Sequence, residues 1–261
     1  MRVALVQMDI ALAQPETNRA HAAALVRQAA AGADLVMLPE MWTTGYALPE
    51  LAGRLADQNG EPTGSFLAEL ARRHRVYLAG SHADERDGKV YNTATLYGPD
   101  GRCLARYNKV HLVPMMDEHL YLTPGSELTV AEAGGVKAGL AICYDLRFPE
   151  LFRTLALSGA ELMLIPAEWP AQRLAHWRTL LQARAIENQC YVLGCNRVGK
   201  DANNGFPGHS LVVDPWGNIL AEGGEGEEIL RAELDLSQVA EIRSRIPVFR
   251  DRRPDLYRHQ L

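Results

Sequence analysis

Twice in this chain a helix-patterned stretch passes through a glycine into an apolar run that ends in proline. Ala33-Asp34-Leu35-Val36-Met37-Leu38-Pro39 is echoed by Ala160-Glu161-Leu162-Met163-Leu164-Ile165-Pro166, and a tryptophan follows each, Trp42 and Trp169. Gly32 and Gly159 stand where a glycine just past the last turn would end the preceding helix. Another strand-like run lies upstream of each helix. Both halves therefore read as strand–helix–strand with proline terminating the second strand. Two such units related by a pseudo-two-fold would make two sheets packed face to face, with helices outside. Unrelated α/β chains also contain helix–glycine–strand joints, so the echo alone leaves a plain α/β protein open.

The rest of the pattern agrees with an α/β chain. Strands are predicted at Val3–Val6, Leu35–Leu38, Val76–Ala79, Thr93–Tyr97, Lys137–Ile142, Leu162–Ile165, Tyr191–Cys195 and Leu211–Val213. Helices are predicted over Asn18–Ala31, Gly64–His74, Pro149–Ser158 and Arg173–Asn188. Asp87-Gly88, Pro99-Asp100-Gly101 and Pro215-Trp216-Gly217-Asn218 carry turn chemistry, which mixes antiparallel pairs into the sheets. No linker or like-charge block divides residues 1–261, so a single domain is expected, with a C-terminal arm from about residue 241.

Charge and cysteine usage narrow the function. The net charge is −5 with both signs interspersed, which argues against nucleic acid as partner. The arginine-rich stretch Arg243–Arg258 is diluted by Asp251 and Asp255 and reads as a solvated or subunit-contacting tail. No apolar run approaches the roughly 20 residues of a membrane span. The first residues run straight into Val3-Ala4-Leu5-Val6 without the layout of a signal peptide. Cys103, Cys143, Cys190 and Cys195 lack the spacing of a disulfide framework, so a reducing, cytoplasmic setting is expected. His111, His119 and His209 do not have metal-ligand spacing, and CxxC and HExxH are absent.

Of the four cysteines, Cys143 stands apart. The segment VKAGLAICYDLRFPE places it where a small-residue strand ends and a helix begins near Pro149. A thiol there lies close to the positive end of a helix, which would lower its pKa and favour the thiolate. The Tyr144 amide would then donate to a developing oxyanion. A buried structural thiol is the plainer fate, and Cys190 and Cys195 suit it. A thiol nucleophile needs a proton acceptor, commonly histidine. Here Glu40, at the carboxyl end of the Ala33–Pro39 run and beside Leu38, Met41 and Trp42, competes for that role. Lys109 shares a strand face with Tyr107 and His111, and like Glu118 reads locally as an ordinary charge.

Taken together, LPE at Glu40, YNKVHL around Lys109, DEHLYLTPG around Glu118 and ICYDLRFPE around Cys143 resemble the nitrilase superfamily of carbon–nitrogen hydrolases. The likeness runs from VALVQ at Val3 to RRPDLY near Tyr257. It implies a four-layer α-β-β-α sandwich of two packed mixed sheets. It also implies a catalytic Glu40–Lys109–Cys143 triad, with Glu118 as a supporting glutamate and no metal or organic cofactor. Homodimers are implied too, often with exchanged C-terminal segments, and Ile246–Tyr257 suits such an arm.

The stretch PAEWPAQRLAHWRTLLQARAIENQCYVLGCNRVGKDANN most resembles the ω-amidase-like branch, whose members act on 2-oxoglutaramate and 2-oxosuccinamate. On that resemblance Trp169 walls a substrate pocket, Tyr46 is a hydrogen-bonding lining residue from the other unit, and Arg173 pairs with a substrate carboxylate. Arg147 is expected in a structural ion pair, for instance with Glu150. Other activities of the superfamily (N-carbamoyl amine hydrolase, aliphatic amidase, nitrilase) remain open, as does a non-catalytic thiol-containing binding protein.

Overall fold

The computed structural model describes residues 1–201 and 203–257. The first half runs β1 (Arg2–Gln7), α1 (Pro15–Ala29), β2 (Leu35–Met37), the short β3 (Asp57–Gln58), α2 (Thr63–His74), β4 (Tyr77–Arg86), β5 (Lys89–Tyr97) and β6 (Cys103–Asn108). One helical turn, α3 (Glu118–Tyr121), precedes β7 (Val130–Ala133), β8 (Val136–Leu140), α4 (Pro149–Leu157), β9 (Leu162–Ala167), α5 (Leu174–Asn188) and β10 (Tyr191–Asn196). A small ribbon of β11 (Val198–Lys200) and β12 (Gly205–Pro207) follows. The chain continues through β13 (Leu211–Val213), β14 (Ile219–Glu222), β15 (Glu228–Glu233) and α6 (Ser237–Arg245).

The repeat read from the sequence is a structural one. One sheet is ordered β15-β1-β2-β4-β5-β6 and the other, from its opposite edge, β7-β8-β9-β10-β13-β14. In each, three central parallel strands are flanked by one antiparallel strand on one side and two on the other. The crossovers α1 and α2 match α4 and α5. Alternation along β1 explains the layering: Val3 and Leu5 join the core that includes both sheets, whereas Ala4 and Val6 pack with Val26 and Leu67 of the helices. Strands buried on both faces read as continuous apolar runs. The result is the expected α-β-β-α sandwich of two mixed sheets.

Several expectations need correcting. Pro39 follows β2, but Pro166 lies inside β9, paired with Cys195 of β10. Its missing N–H falls on the β8 side, where β8 has already ended at Leu140, so no ladder bond is lost. β7, β14, β15 and α6 were not legible as elements, because their partly exposed residues give weak patterning. The strand expected to carry Tyr107, Lys109 and His111 on one face is β6, which ends at Asn108, so Lys109 and His111 lie beyond it. The helix α6 crosses residue 241, where an arm was expected to begin. Arg243 is no solvated charge either: it donates to the Ala160 carbonyl (2.8 Å) and lies 4.9 Å from the Phe249 ring centroid. Arg258 lies outside the described residues.

Candidate active site

The carboxyl ends of the parallel strands in both sheets meet at one place. Glu40 follows β2, Lys109 follows β6, Cys143 lies three residues beyond β8, and Glu118 opens α3. All four are buried. Three of the non-glycine residues with positive φ sit at this site: Met41 (45°), Asp117 (59°) and Cys143 (44°). Each is at or beside one of the four, where a strained backbone turns a side chain inward at a cost of about 1–3 kcal/mol.

The polar contacts are dense. Lys109 Nζ donates to Glu118 Oε1 (2.6 Å), Glu40 Oε1 (2.8 Å) and the Tyr46 hydroxyl (3.3 Å), which occupies all three ammonium donors. Glu40 Oε1 also accepts from Asn92 Nδ2 (2.8 Å), and Oε2 from the backbone N–H of Glu168 (2.8 Å). Glu118 Oε2 accepts from the Val113 amide (2.7 Å). Tyr46 Oη lies 2.5 Å from Glu118 and 2.9 Å from Glu40, a bridge between the two carboxylates rather than a wall of the pocket.

The electrostatics follow from this burial. Burial works against the Lys109 charge, but Glu118 and Glu40 outweigh it and hold the ammonium well above lysine's ordinary range. Burial pushes the Glu118 carboxyl up, with Lys109 pulling it back. The Cys143 thiol is pushed well up by burial first, then by the Glu40 charge and a hydrogen bond to that side chain, against the pull of Lys109. This reverses the lowered thiol pKa expected from a helix N-terminus. A 3-10 turn, Cys143–Arg147, separates Cys143 from α4, and desolvation beside a carboxylate dominates. Burial beside the Glu40 carboxylate therefore favours the neutral thiol.

Asp145 organises the turn and was not singled out in the sequence. Its carboxylate accepts from the Ile142 amide (2.9 Å), the Tyr107 hydroxyl (2.7 Å), and the amide and ring Nδ1 of His111 (3.1 and 2.8 Å). Tyr107 and His111 flank Lys109, so one carboxylate ties the cysteine turn to the lysine segment. Arg184 of α5 closes the other side, donating twice to the Leu146 carbonyl (3.1 and 2.9 Å). The signals were present: Asp145 stands two residues from Cys143, and Tyr107 and His111 alternate with Lys109. Nothing local indicated that they converge.

Cys143 opens onto a cavity of about 20 Å³, room for a single water, lined by Tyr144, Trp169, Arg147 and Arg173 with Met115 and Met116. Trp169 walls it as expected, with Nε1 bonded to the Arg173 carbonyl (2.8 Å). Arg147 is not paired with Glu150; its guanidinium lies 4.8 Å from the Trp169 ring centroid and 5.8 Å from that of Tyr144. Its polar partner is His176 Nδ1, at 3.4 Å. Arg173 reaches only the Met115 sulfur, at 3.9 Å. Neither guanidinium has a carboxylate partner among the described residues. No group of three or more His, Cys, Asp or Glu side chains among them could hold a metal ion.

A two-sheet sandwich with Glu40, Lys109 and Cys143 buried together at its strand ends fits a hydrolase of carbon–nitrogen bonds. Residues 2–244 match the carbon-nitrogen hydrolase family model, and the chain belongs to that family, which acts on bonds other than peptide bonds. It is 48% identical over 256 residues to the 2-oxoglutaramate amidase of Bacillus subtilis, covering 98% of each chain. Its identity to human omega-amidase NIT2 is 38%, over 98% of this chain and 96% of the relative. A CN-hydrolase superfamily protein from Xanthomonas campestris, solved with an arsenic adduct in its active site, superposes with a TM-score of 0.91. That protein is 33% identical, with 97% of each chain covered.

Proposed function

We propose that this protein hydrolyses the terminal amide of a small carboxylate-bearing substrate, 2-oxoglutaramate or a near analogue, through a thioester on Cys143. The observation that carries this reading is the pair of guanidiniums, Arg147 and Arg173, without acidic partners on the cavity over Cys143. Unpaired cations against Trp169 and methionines fit an anionic tail better than a neutral amide or nitrile. The relatives named above support the same substrate class.

The chemistry balances with the groups present. Glu40 takes the Cys143 proton as Sγ bonds to the amide carbon, and the carbonyl electrons move to oxygen. Once Glu40 is protonated its hold on Lys109 weakens, which frees an ammonium donor for the oxyanion alongside the Tyr144 amide. Collapse breaks the C–N bond, and Glu40 returns the proton to the leaving ammonia. Water then adds to the thioester, giving its proton to Glu40, and collapse releases the acid and restores the thiol. Glu118 and Tyr46 keep Lys109 and Glu40 in register. A five-carbon amide exceeds the resting cavity, so the flexible Met115 and Met116 side chains swing aside on binding.

Four free thiols, three of them buried, suit a reducing compartment, and we place the protein in the cytoplasm as a homodimer. The partly exposed Trp216, Ile186 and Ile246 near the C-terminal segment support a second copy there. An ammonia-release panel tests the substrate assignment: 2-oxoglutaramate should turn over well ahead of carbamoyl-β-alanine and a simple nitrile. Equal or slower hydrolysis of the oxo-acid amide overturns it.

A further inference from the structure

One buried ionisable group beside the cluster has no part in the scheme above. Glu168 follows β9 as Glu40 follows β2, so the two residues lie beyond the ends of pseudo-equivalent strands, one from each sheet. The Glu168 side chain is fully buried. Its Oε2 accepts from Arg197 Nη1 at 2.9 Å, while Oε1 has no hydrogen-bond partner among the described residues. Arg197 is itself buried and anchored by the Ile10 carbonyl (2.9 Å), the Val198 carbonyl (3.1 Å) and Asp9 (2.9 Å). The Glu168 amide donates to Glu40, and Glu168 is not among the residues lining the cavity.

We infer that Glu168 is a positioning residue for the hydrolytic base: its amide fixes Glu40, and its carboxylate charge, steadied by Arg197, strengthens Glu40 as acceptor of the Cys143 proton. The inference rests on the reading of Glu40 as that base. A negative charge nearby raises the proton affinity of a carboxylate, and burial leaves the effect poorly screened. The charged and titratable groups acting on or near Glu168 are Arg197, Glu40, Asp201 and Tyr46, with Asp9 beyond Arg197. Burial and the Glu40 charge, against Arg197, push its carboxyl up to about 8. The charge, and with it the strength of the base, therefore grows as pH rises through that value.

Glu168→Gln keeps the shape and the acceptor for Arg197 and removes the charge. For 2-oxoglutaramate we expect wild-type kcat to rise about three- to tenfold between pH 7 and 9, as Glu168 ionises, with KM unchanged, and Glu168→Gln to lack that rise. Glu168→Asp, which retains a titrating carboxyl, should keep a rise even if kcat falls; it also serves if the glutamine variant does not fold. A rise kept in Glu168→Gln, or lost equally in Glu168→Asp, overturns the inference. Glu40→Gln, assayed alongside, separates the two readings. Wild-type turnover there sinks the base assignment and this inference with it. An inactive Glu40→Gln with the rise kept in Glu168→Gln sinks only the role of Glu168.

Discussion

Replacing Lys109 by methionine should unfold the protein more readily at alkaline than at acid pH. Lys109 is fully buried between Glu40 and Glu118, at 2.8 and 2.6 Å. Methionine fills similar volume, so the loss is almost entirely electrostatic: two buried carboxylates are left facing each other. Removing one partner of a buried ion pair costs about 3–5 kcal/mol, and no solvent discount applies to side chains this buried. The sign follows from Glu118, whose carboxyl already stands above its ordinary value and loses the lowering influence of Lys109 in the variant. A carboxyl raised in the folded state contributes stability that is present below its unfolded pKa and lost as pH rises through its folded pKa. The variant's carboxyl, raised further, should therefore lose stability with rising pH over a wider range than wild type, by at most about 1.4 kcal/mol per pH unit relative to it. Urea unfolding of both proteins at pH 5.5 and 7.5 measures this directly. A gap that stays constant, or narrows at the higher pH, refutes the coupled-cluster account. Ammonia release should be abolished at either pH.

Two further outcomes follow from the geometry. Arg173→Ala should cost roughly tenfold or more in kcat/KM on 2-oxoglutaramate, the range of a charge-assisted hydrogen bond, while sparing a short neutral amide; equal losses on both mean the arginine supports the fold instead. His82 of β4 is fully buried, neither ring nitrogen has a hydrogen-bond partner among the described residues (Asp57 Oδ2 lies 3.7 Å from Nε2), and burial lowers its pKa to about 3. A base depressed in this way contributes stability present above its unfolded value near 6.5 and lost as pH falls towards 3. His82→Leu should therefore make stability less sensitive to acid between pH 6 and 4, and unchanged acid sensitivity in denaturant midpoints counts against it.

Much of the architecture was legible because it is written in local periodicity. The paired runs Ala33–Pro39 and Ala160–Pro166 announced two strand–helix–strand units, and Gly32 and Gly159 end their helices at φ of 81° and 97°. Edge strands such as β7 and β14 were missed because half-exposed residues do not alternate cleanly. Family motifs marked Glu40, Lys109, Glu118 and Cys143, and the structure brings all four together. Tyr46, expected as a hydrogen-bonding residue of the pocket lining, does hydrogen-bond, but to the two carboxylates behind the cavity, and Arg147 left its expected partner Glu150 for the cavity.

By itself the sequence determined the central strands and the helices that cross between them, and which residue types could serve as nucleophile, base and cation. These depend on neighbours a few positions away. Only the tertiary structure decided their chemical state. Burial beside Glu40 turned a thiol expected to ionise easily into one held neutral. The amide of Glu168 reaches Glu40 across 128 residues of chain, and Asp145 gathers Tyr107 of β6 and His111 just beyond that strand. Desolvation and Coulomb forces act through space, and distances between residues so remote in sequence exist only once the two sheets have packed.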